Sequence, residues 1–184
     1  MQRNKIFVFI IFAIFFQSCS MDYEIMEAAE ELGENIPDNV IEKIIYTSVD
    51  NGSVVFRLYA QKAENYSQKN ETILYTVVFR EYNLNNEIVT EGTAQKGLIY
   101  TNTDDAELAG SLVIYSLENE TEIQADYLYW NDSEKTLKGS INGNVKLLKD
   151  SGASISGTGF SGDMKTKLFN FESNVTGIYH DEED

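Results

Sequence analysis

The sequence predicts an all-β protein, a sandwich, roll or barrel of short strands carried behind an N-terminal leader. Three observations carry that reading. From residue 40 onward apolar side chains alternate with polar ones, the period of a half-buried strand. Clusters of Asn, Asp, Ser and Gly interrupt the alternation about every 8–12 residues, the cadence of strands joined by tight turns. Tyrosine and phenylalanine are abundant, at 11 and 10 residues, while Pro37 is the one proline, a bias that favours strands over disorder.

The leader comes first. Arg3 and Lys5 precede an unbroken apolar run, residues 6–16 (IFVFIIFAIFF). As a helix rising about 1.5 Å per residue it reaches about 16 Å, too short for a hydrocarbon core about 30 Å thick. It reads as a secretory h-region, and residues 1–18 as a signal peptide. Cys19 follows in Phe16-Gln17-Ser18-Cys19, which resembles a bacterial lipobox. Ser18 is the small residue expected there, while Phe16 and Gln17 depart from the usual aliphatic and small residues. Cys19 is expected to be acylated, each buried methylene contributing about 0.8 kcal/mol to anchoring. The plain alternative is a spare cysteine behind an ordinary signal peptide. Residues 19–37 then form the anchor and an acidic tether. Within the tether a short helix would gather Ile25, Met26, Ala29 and Leu32, with Gly33 and Pro37 ending it.

Residues 38–180 are the domain. Its alternating sets are Val54, Phe56, Leu58 and Ala60; Ile73, Tyr75, Val77 and Phe79; Leu108, Leu112 and Ile114, interrupted by Gly110; and Ile123, Ala125, Tyr127 and Tyr129. Leu137, Ile141, Val145 and Leu147 follow, then Phe169, Phe171, Val175 and Tyr179. Turn chemistry separates them at Asp50-Asn51-Gly52-Ser53, at residues 83–86, 102–105 and 131–134, and at Asp150-Ser151-Gly152. A weak internal repeat relates residues 123–130 to residues 155–162, a period of 32. Periods of this size mark stacked pairs of strands. Residues 181–184 are a solvated acidic tail.

Charge and residue inventory exclude several classes of function. The chain carries 14 basic and 30 acidic residues, a net of −16, and removal of residues 1–18 takes Arg3 and Lys5 away and leaves −18. Such a surface repels nucleic acid. One cysteine and one histidine, Cys19 and His180, preclude an internal disulfide and a His/Cys metal cluster, and they starve the usual nucleophile systems of a base. No cofactor motif is present: Gly157-Thr158-Gly159-Phe160-Ser161-Gly162 has neither the lysine nor the following helix of a phosphate-binding loop. Its glycines suit close strand approach, a bulge or a tight bend.

Four stretches carry a family resemblance. They are residues 54–66 (VVFRLYAQKAENY); residues 78–82 (VFREY) with Gly92-Thr93-Ala94; residues 123–139 (IQADYLYWNDSEKTLKG); and residues 155–163 (ISGTGFSGD) with Phe171 and Val175-Thr176-Gly177. Together they resemble the LptC family, the periplasmic component of the lipopolysaccharide-export ABC transporter. More distantly they are similar to the OstA-like fold of its periplasmic partner LptA. The last stretch is the most specific, and residues 54–66 look like the family's first strand. The resemblance implies a twisted, open antiparallel β-jellyroll, or β-roll, with an apolar interior accessible to acyl chains. It implies a relay for lipopolysaccharide or lipooligosaccharide and no enzymatic activity. In place of the transmembrane helix that anchors the better-known members, this chain has Cys19, so it is expected in the periplasm, lipid-anchored to the inner membrane.

Alternation supplies the acyl-chain candidates Phe56, Leu58, Val77, Phe79, Leu112, Ile114, Tyr127 and Val145. A one-residue slip would turn any of them to the opposite face. The closing motif contributes Gly157, Gly159, Phe160, Asp163 and Gly177, with Asp163 read either as a fixed turn cap near a partner or as an ordinary turn residue. Open rolls expose edge strands, so the expected protein partners are the transporter subunits, at an edge near residues 49–60, and an LptA-like bridge protein, near residues 169–179. Both would bind by strand addition. The competing reading is a surface or periplasmic lipoprotein whose β-sandwich binds a protein or a glycan.

Overall fold

A computed structural model of the chain describes residues 36–179. The expected signal peptide, Cys19, the expected tether up to residue 35 and the acidic tail lie outside the described residues. Six long strands form an antiparallel meander: β1 (Asn39–Asp50), β2 (Ser53–Tyr66), β3 (Glu71–Tyr82), β4 (Ile88–Tyr100), β5 (Asp105–Ser116) and β6 (Thr121–Asn131). Six short strands follow: β7 (Thr136–Gly139), β8 (Val145–Lys149), β9 (Ser154–Thr158), β10 (Ser161–Asp163), β11 (Leu168–Asn170) and β12 (Ser173–Ile178). All twelve belong to one sheet.

The short strands are broken halves of long ones. β7 pairs with the C-terminal half of β6, from Leu128 to Asn131, and β8 with its N-terminal half, from Thr121 to Ala125. β10 then pairs β7 while β9 pairs β8, and β11 and β12 repeat the division one strand further out. The 32-residue repeat has this origin. Ile123 and Ile155 share one transverse row through Leu147, one out-and-back pair of strands apart.

A crease crosses the sheet at the breaks. Pairing skips Lys43 and Gln61 between β1 and β2, Gln61 and Thr76 between β2 and β3, and Thr76 and Gln95 between β3 and β4. It skips Gly110 and Ser111 opposite Asp126 between β5 and β6. Lys43, Thr76, Gly110 and Ser111 all have positive φ. Unpaired residues of this kind bend a strand and sharpen its twist. On the inner side the crease is flanked by Ala60, Ala63, Ala94, Gly97 and Ala125, small enough to sit inside the bend. Buried residues from both sides of the crease form a single core that includes Leu58, Val77, Leu112 and Val145 from one half and Leu74, Leu128, Leu137 and Phe160 from the other.

The crease also switches which residues face inward. On β3 Leu74 and Val77 are both buried, with Tyr75 and the exposed Thr76 between them. On β6 Ile123 and Ala125 are buried, and then Leu128. Three expectations are corrected here. Tyr75 does not share a face with Val77, nor Tyr127 and Tyr129 with Ile123, because strict alternation breaks at the crease. The first strand is Asn39–Asp50, not residues 54–66, so the N-terminal edge is β1, and β2 is paired on both sides. Ile141 belongs to no strand; it is 79% exposed in the loop between β7 and β8, where that strand crosses the crease.

Thr76 is strained by this role, being β-branched with φ 54°. Asparagine tolerates that conformation better. Thr76→Asn is expected to raise stability by roughly 1 kcal/mol, read as a higher thermal midpoint. A lower midpoint would refute the strain.

Candidate functional site

The inner face of the sheet is apolar in transverse rows that run across the strands. One row is Leu58, Phe79, Gly92, Ile114, Ile123, Leu147 and Ile155; beside it lie Ala60, Val77 and Ala94 in one paired run and Leu112, Ala125, Val145 and Gly157 in another. Leu58, Val77, Leu112 and Val145 are buried, while Phe56, Phe79 and Ile114 are half-buried and pack against that core. Phe56 and Phe79 stack at 6.1 Å between ring centroids. These three make an apolar rim near the β1–β2, β3–β4 and β5–β6 turns. Seven of the eight residues named from alternation are thus brought onto one face.

Tyr127 is not among them. It lies past the crease, on the outer face, opposite Ala109. That face carries a belt of tyrosines held by carboxylates. The hydroxyls of Tyr66 and Tyr75 donate to Glu64 Oε2, at 3.4 and 2.9 Å, Tyr100 donates to Glu107 at 2.6 Å, and Tyr129 to Asp105 at 2.9 Å. Lys62 Nζ lies 2.5 Å from Glu64, and this hydrogen bond, followed by that from Tyr75, holds the Glu64 carboxyl below its ordinary value. The Tyr127 hydroxyl is pushed up, first by burial and then by the charge of Glu107.

The interior is filled by its own side chains, Phe160, Leu112, Leu128, Val77 and Val145 being almost completely buried. The accessible apolar interior expected of the roll is therefore a packed core. Two surface depressions, of about 330 and 360 Å³, lie on the outer face instead, around Val113, Gln124 and Lys146 and around Val78, Arg80 and Tyr115. Exposed apolar side chains lie along the two edges of the sheet and in loops, as at Leu84 and Ile141.

Among the described residues both edges are open. β1 pairs only β2, and β11 and β12 pair only β10 and β9. On β1, Ile45 is 66% and Tyr46 55% exposed; at the far edge Val175 is 52% and Ile178 61% exposed. Exposed apolar edges with free backbone groups are templates for another strand. Alternation analysis missed the first of them. The run Val40-Ile41-Glu42-Lys43-Ile44-Ile45-Tyr46 held the signal in its β-branched residues, but Glu42-Lys43 at the crease breaks the period.

The closing motif sits where β9 passes into β10. Gly159 has φ +66°, and Phe160 turns inward there, its ring 5.9 Å from that of Phe169 and 5.3 Å from that of Phe171. The Phe171 ring covers Gly157 so closely that an added Cβ would lie 3.0 Å from it. Gly177 is on the edge strand β12, where an added Cβ would meet Ser154 O at 3.0 Å.

Asp163 Oδ1 accepts the backbone N–H groups of Lys165 and Thr166, at 2.8 and 3.0 Å. The Thr166 N–H is the main reason its carboxyl is held below the usual carboxylate value. A group so depressed contributes stability that is complete above its unfolded pKa and is lost as pH falls through its folded pKa. Asp163→Asn is expected to flatten the acid limb of the stability profile by lowering neutral-pH stability toward that of the parent at acid pH, since the neutral amide oxygen accepts the same N–H groups without the charge. An unchanged acid limb in urea titrations would contradict that role.

Comparison with known proteins now decides the family. The family model described as lipopolysaccharide-assembly, LptC-related matches residues 6–180. The chain belongs to the LptC family. Membership gives the coarse role of this LptC-family chain, a part in lipopolysaccharide transport. Its fold resembles the crystal structure of LptH from Pseudomonas aeruginosa, described as the LptA-homologous periplasmic component of the lipopolysaccharide transport device. The TM-score is 0.54 at 11% identity, over 68% of this chain and 95% of that one. At this identity the likeness concerns the open β-jellyroll alone. No curated protein matches the sequence. Among the described residues of this LptC-family chain, no helix is long and apolar enough to cross a membrane, and no three His, Cys, Asp or Glu residues gather as a metal site.

Proposed function

We propose that this chain is a periplasmic relay of lipopolysaccharide or lipooligosaccharide export, held at the inner membrane by acylated Cys19. One observation carries the reading: the inner apolar face runs out to sheet edges that are open among the described residues, where Tyr46, opposite Leu58, and Phe169, opposite Gly162, stay exposed. An inner-membrane ABC transporter docks by strand addition at β1, and an LptA-like bridge protein at β11 and β12. Each junction makes the apolar surface of one protein continuous with that of the next. Acyl chains meet Phe56, Phe79 and Ile114 at the half-buried rim. Leu58, Val77, Leu112 and Val145 form the buried core against which that rim packs. Burial at about 0.8 kcal/mol per methylene makes binding favourable, and a continuous next surface lets the lipid leave without crossing water. The protein is a carrier and needs no catalytic group.

Photoreactive phenylalanine analogues at Phe56, Phe79 and Ile114 are expected to capture glycolipid in cells, while the same group at Tyr127, on the outer face, captures none. Equal capture from Tyr127, or protein adducts alone at the rim, would remove the acyl-chain role.

A further inference from the structure

The choice between arginine and lysine points to a second site. Of the 14 basic residues only three are arginines, Arg3, Arg57 and Arg80. The two that lie in the domain stand directly opposite each other, Arg57 on β2 and Arg80 on β3. Like charges in that position destabilise a sheet. Nothing in this acidic chain requires them to be neighbours for stability, and lysine serves at every other basic position of the domain.

Their surroundings leave donors free. Arg80 Nε contacts Glu91 Oε2 at 3.3 Å, an exposed pair of modest worth. The Arg57 guanidinium lies 5.9 Å over the Tyr82 ring, which orients it, and it has no carboxylate within ion-pair distance among the described residues. Thr47 on β1 stands opposite Arg57 and adds a hydroxyl to the same row of the outer face. One row along, the exposed Ile45 lies opposite Tyr59. Two planar forks, an aromatic platform and an apolar flank are the parts of a site for a phosphoryl group carried on a lipid. Guanidinium binds such a group through two parallel hydrogen bonds, which an ammonium does not.

We propose that Arg57 and Arg80 together form a phosphoryl-binding fork on the outer face of β2 and β3. The phosphoryl group is that of the glycolipid headgroup or of a free phosphate anion, and the proposal rests on the relay reading only for the first of these sources. Phe56 and Phe79, each next in sequence to one of the arginines, face the acyl rim. The fork therefore sits beside that rim, across the thickness of the sheet.

The test uses the full-length chain purified in detergent. Its probes are lipopolysaccharide, the same lipopolysaccharide after chemical removal of its phosphates, and inorganic phosphate. The parent is expected to bind the phosphorylated form about tenfold more tightly than the dephosphorylated one, the size of a charge-assisted contact. Arg57→Gln/Arg80→Gln is expected to bind both at the weaker level, and Arg57→Lys/Arg80→Lys to recover little of the preference. The Gln variant should melt no lower than the parent, since it removes a like-charge pair, so lost binding is not lost folding. Inorganic phosphate should shift the NMR signals of both Arg Nε–H groups. If lipopolysaccharide binds equally with and without phosphate and in all variants, the fork is overturned and the relay stands. If phosphate moves the arginine signals while neither glycolipid binds, the fork stands with a free anion as its ligand and the relay falls. Unmoved arginine signals with no dependence on phosphate overturn the fork outright.

Discussion

Phe160→Ala is expected to cost about 3–5 kcal/mol of folding stability, the range for a fully buried aromatic. Phe160 is 2% exposed and stands at the crease between β9 and β10. Its ring packs against Phe169, from the segment of β11, and against Phe171, just before β12. Its carbonyl accepts the N–H of Gly139 at 2.9 Å, joining the crease to the end of β7. Alanine would leave a cavity where two pairs of short strands meet. Those strands are too short to hold each other without it, so relaxation offers little relief. A domain stable by about 5–15 kcal/mol would lose a large share of that margin. Urea denaturation followed by circular dichroism measures the loss, and a change below about 1 kcal/mol would mean that the ring is not the joint described.

Gly92→Ala is expected to cost about 1–3 kcal/mol by overpacking. A Cβ at Gly92 would lie 2.3 Å from Cζ and 2.6 Å from Cε1 of Phe79, which is directly opposite across the strands. The ring cannot lie flat over that methyl. It must swing, and it is already stacked on Phe56 and packed against the core. The decisive measurement is a double-mutant cycle with Phe79→Leu. Neighbours in contact couple, so the alanine penalty should shrink when the ring is gone. Additive losses would show that the strain lies elsewhere. The same swing would open or block the rim, so Gly92→Ala should also change glycolipid capture from Phe56.

By itself the sequence determined an all-β fold, its turns, its acidic surface, and a family resemblance carried most specifically by residues 155–163. These are properties of local chemistry: alternation, turn residues and composition act over a few neighbours and need no partner across the sheet. It also placed Phe56, Leu58, Val77, Phe79, Leu112, Ile114 and Val145 on one face, because each half of a strand obeys a strict period of two. What only the tertiary structure decided is the crease. A single skipped residue there reverses the facing of everything after it, which is why Leu74, Leu128 and Trp130 are packed with the core while Tyr75, Tyr127 and Tyr129 are not. The edge strand β1 was hidden for the same reason, its period broken at Lys43. The opposed arginines likewise meet only through pairing between β2 and β3, twenty-three residues apart in the chain. Register across a sheet is a long-range property, set by which strands lie side by side, and no local pattern in the chain states it.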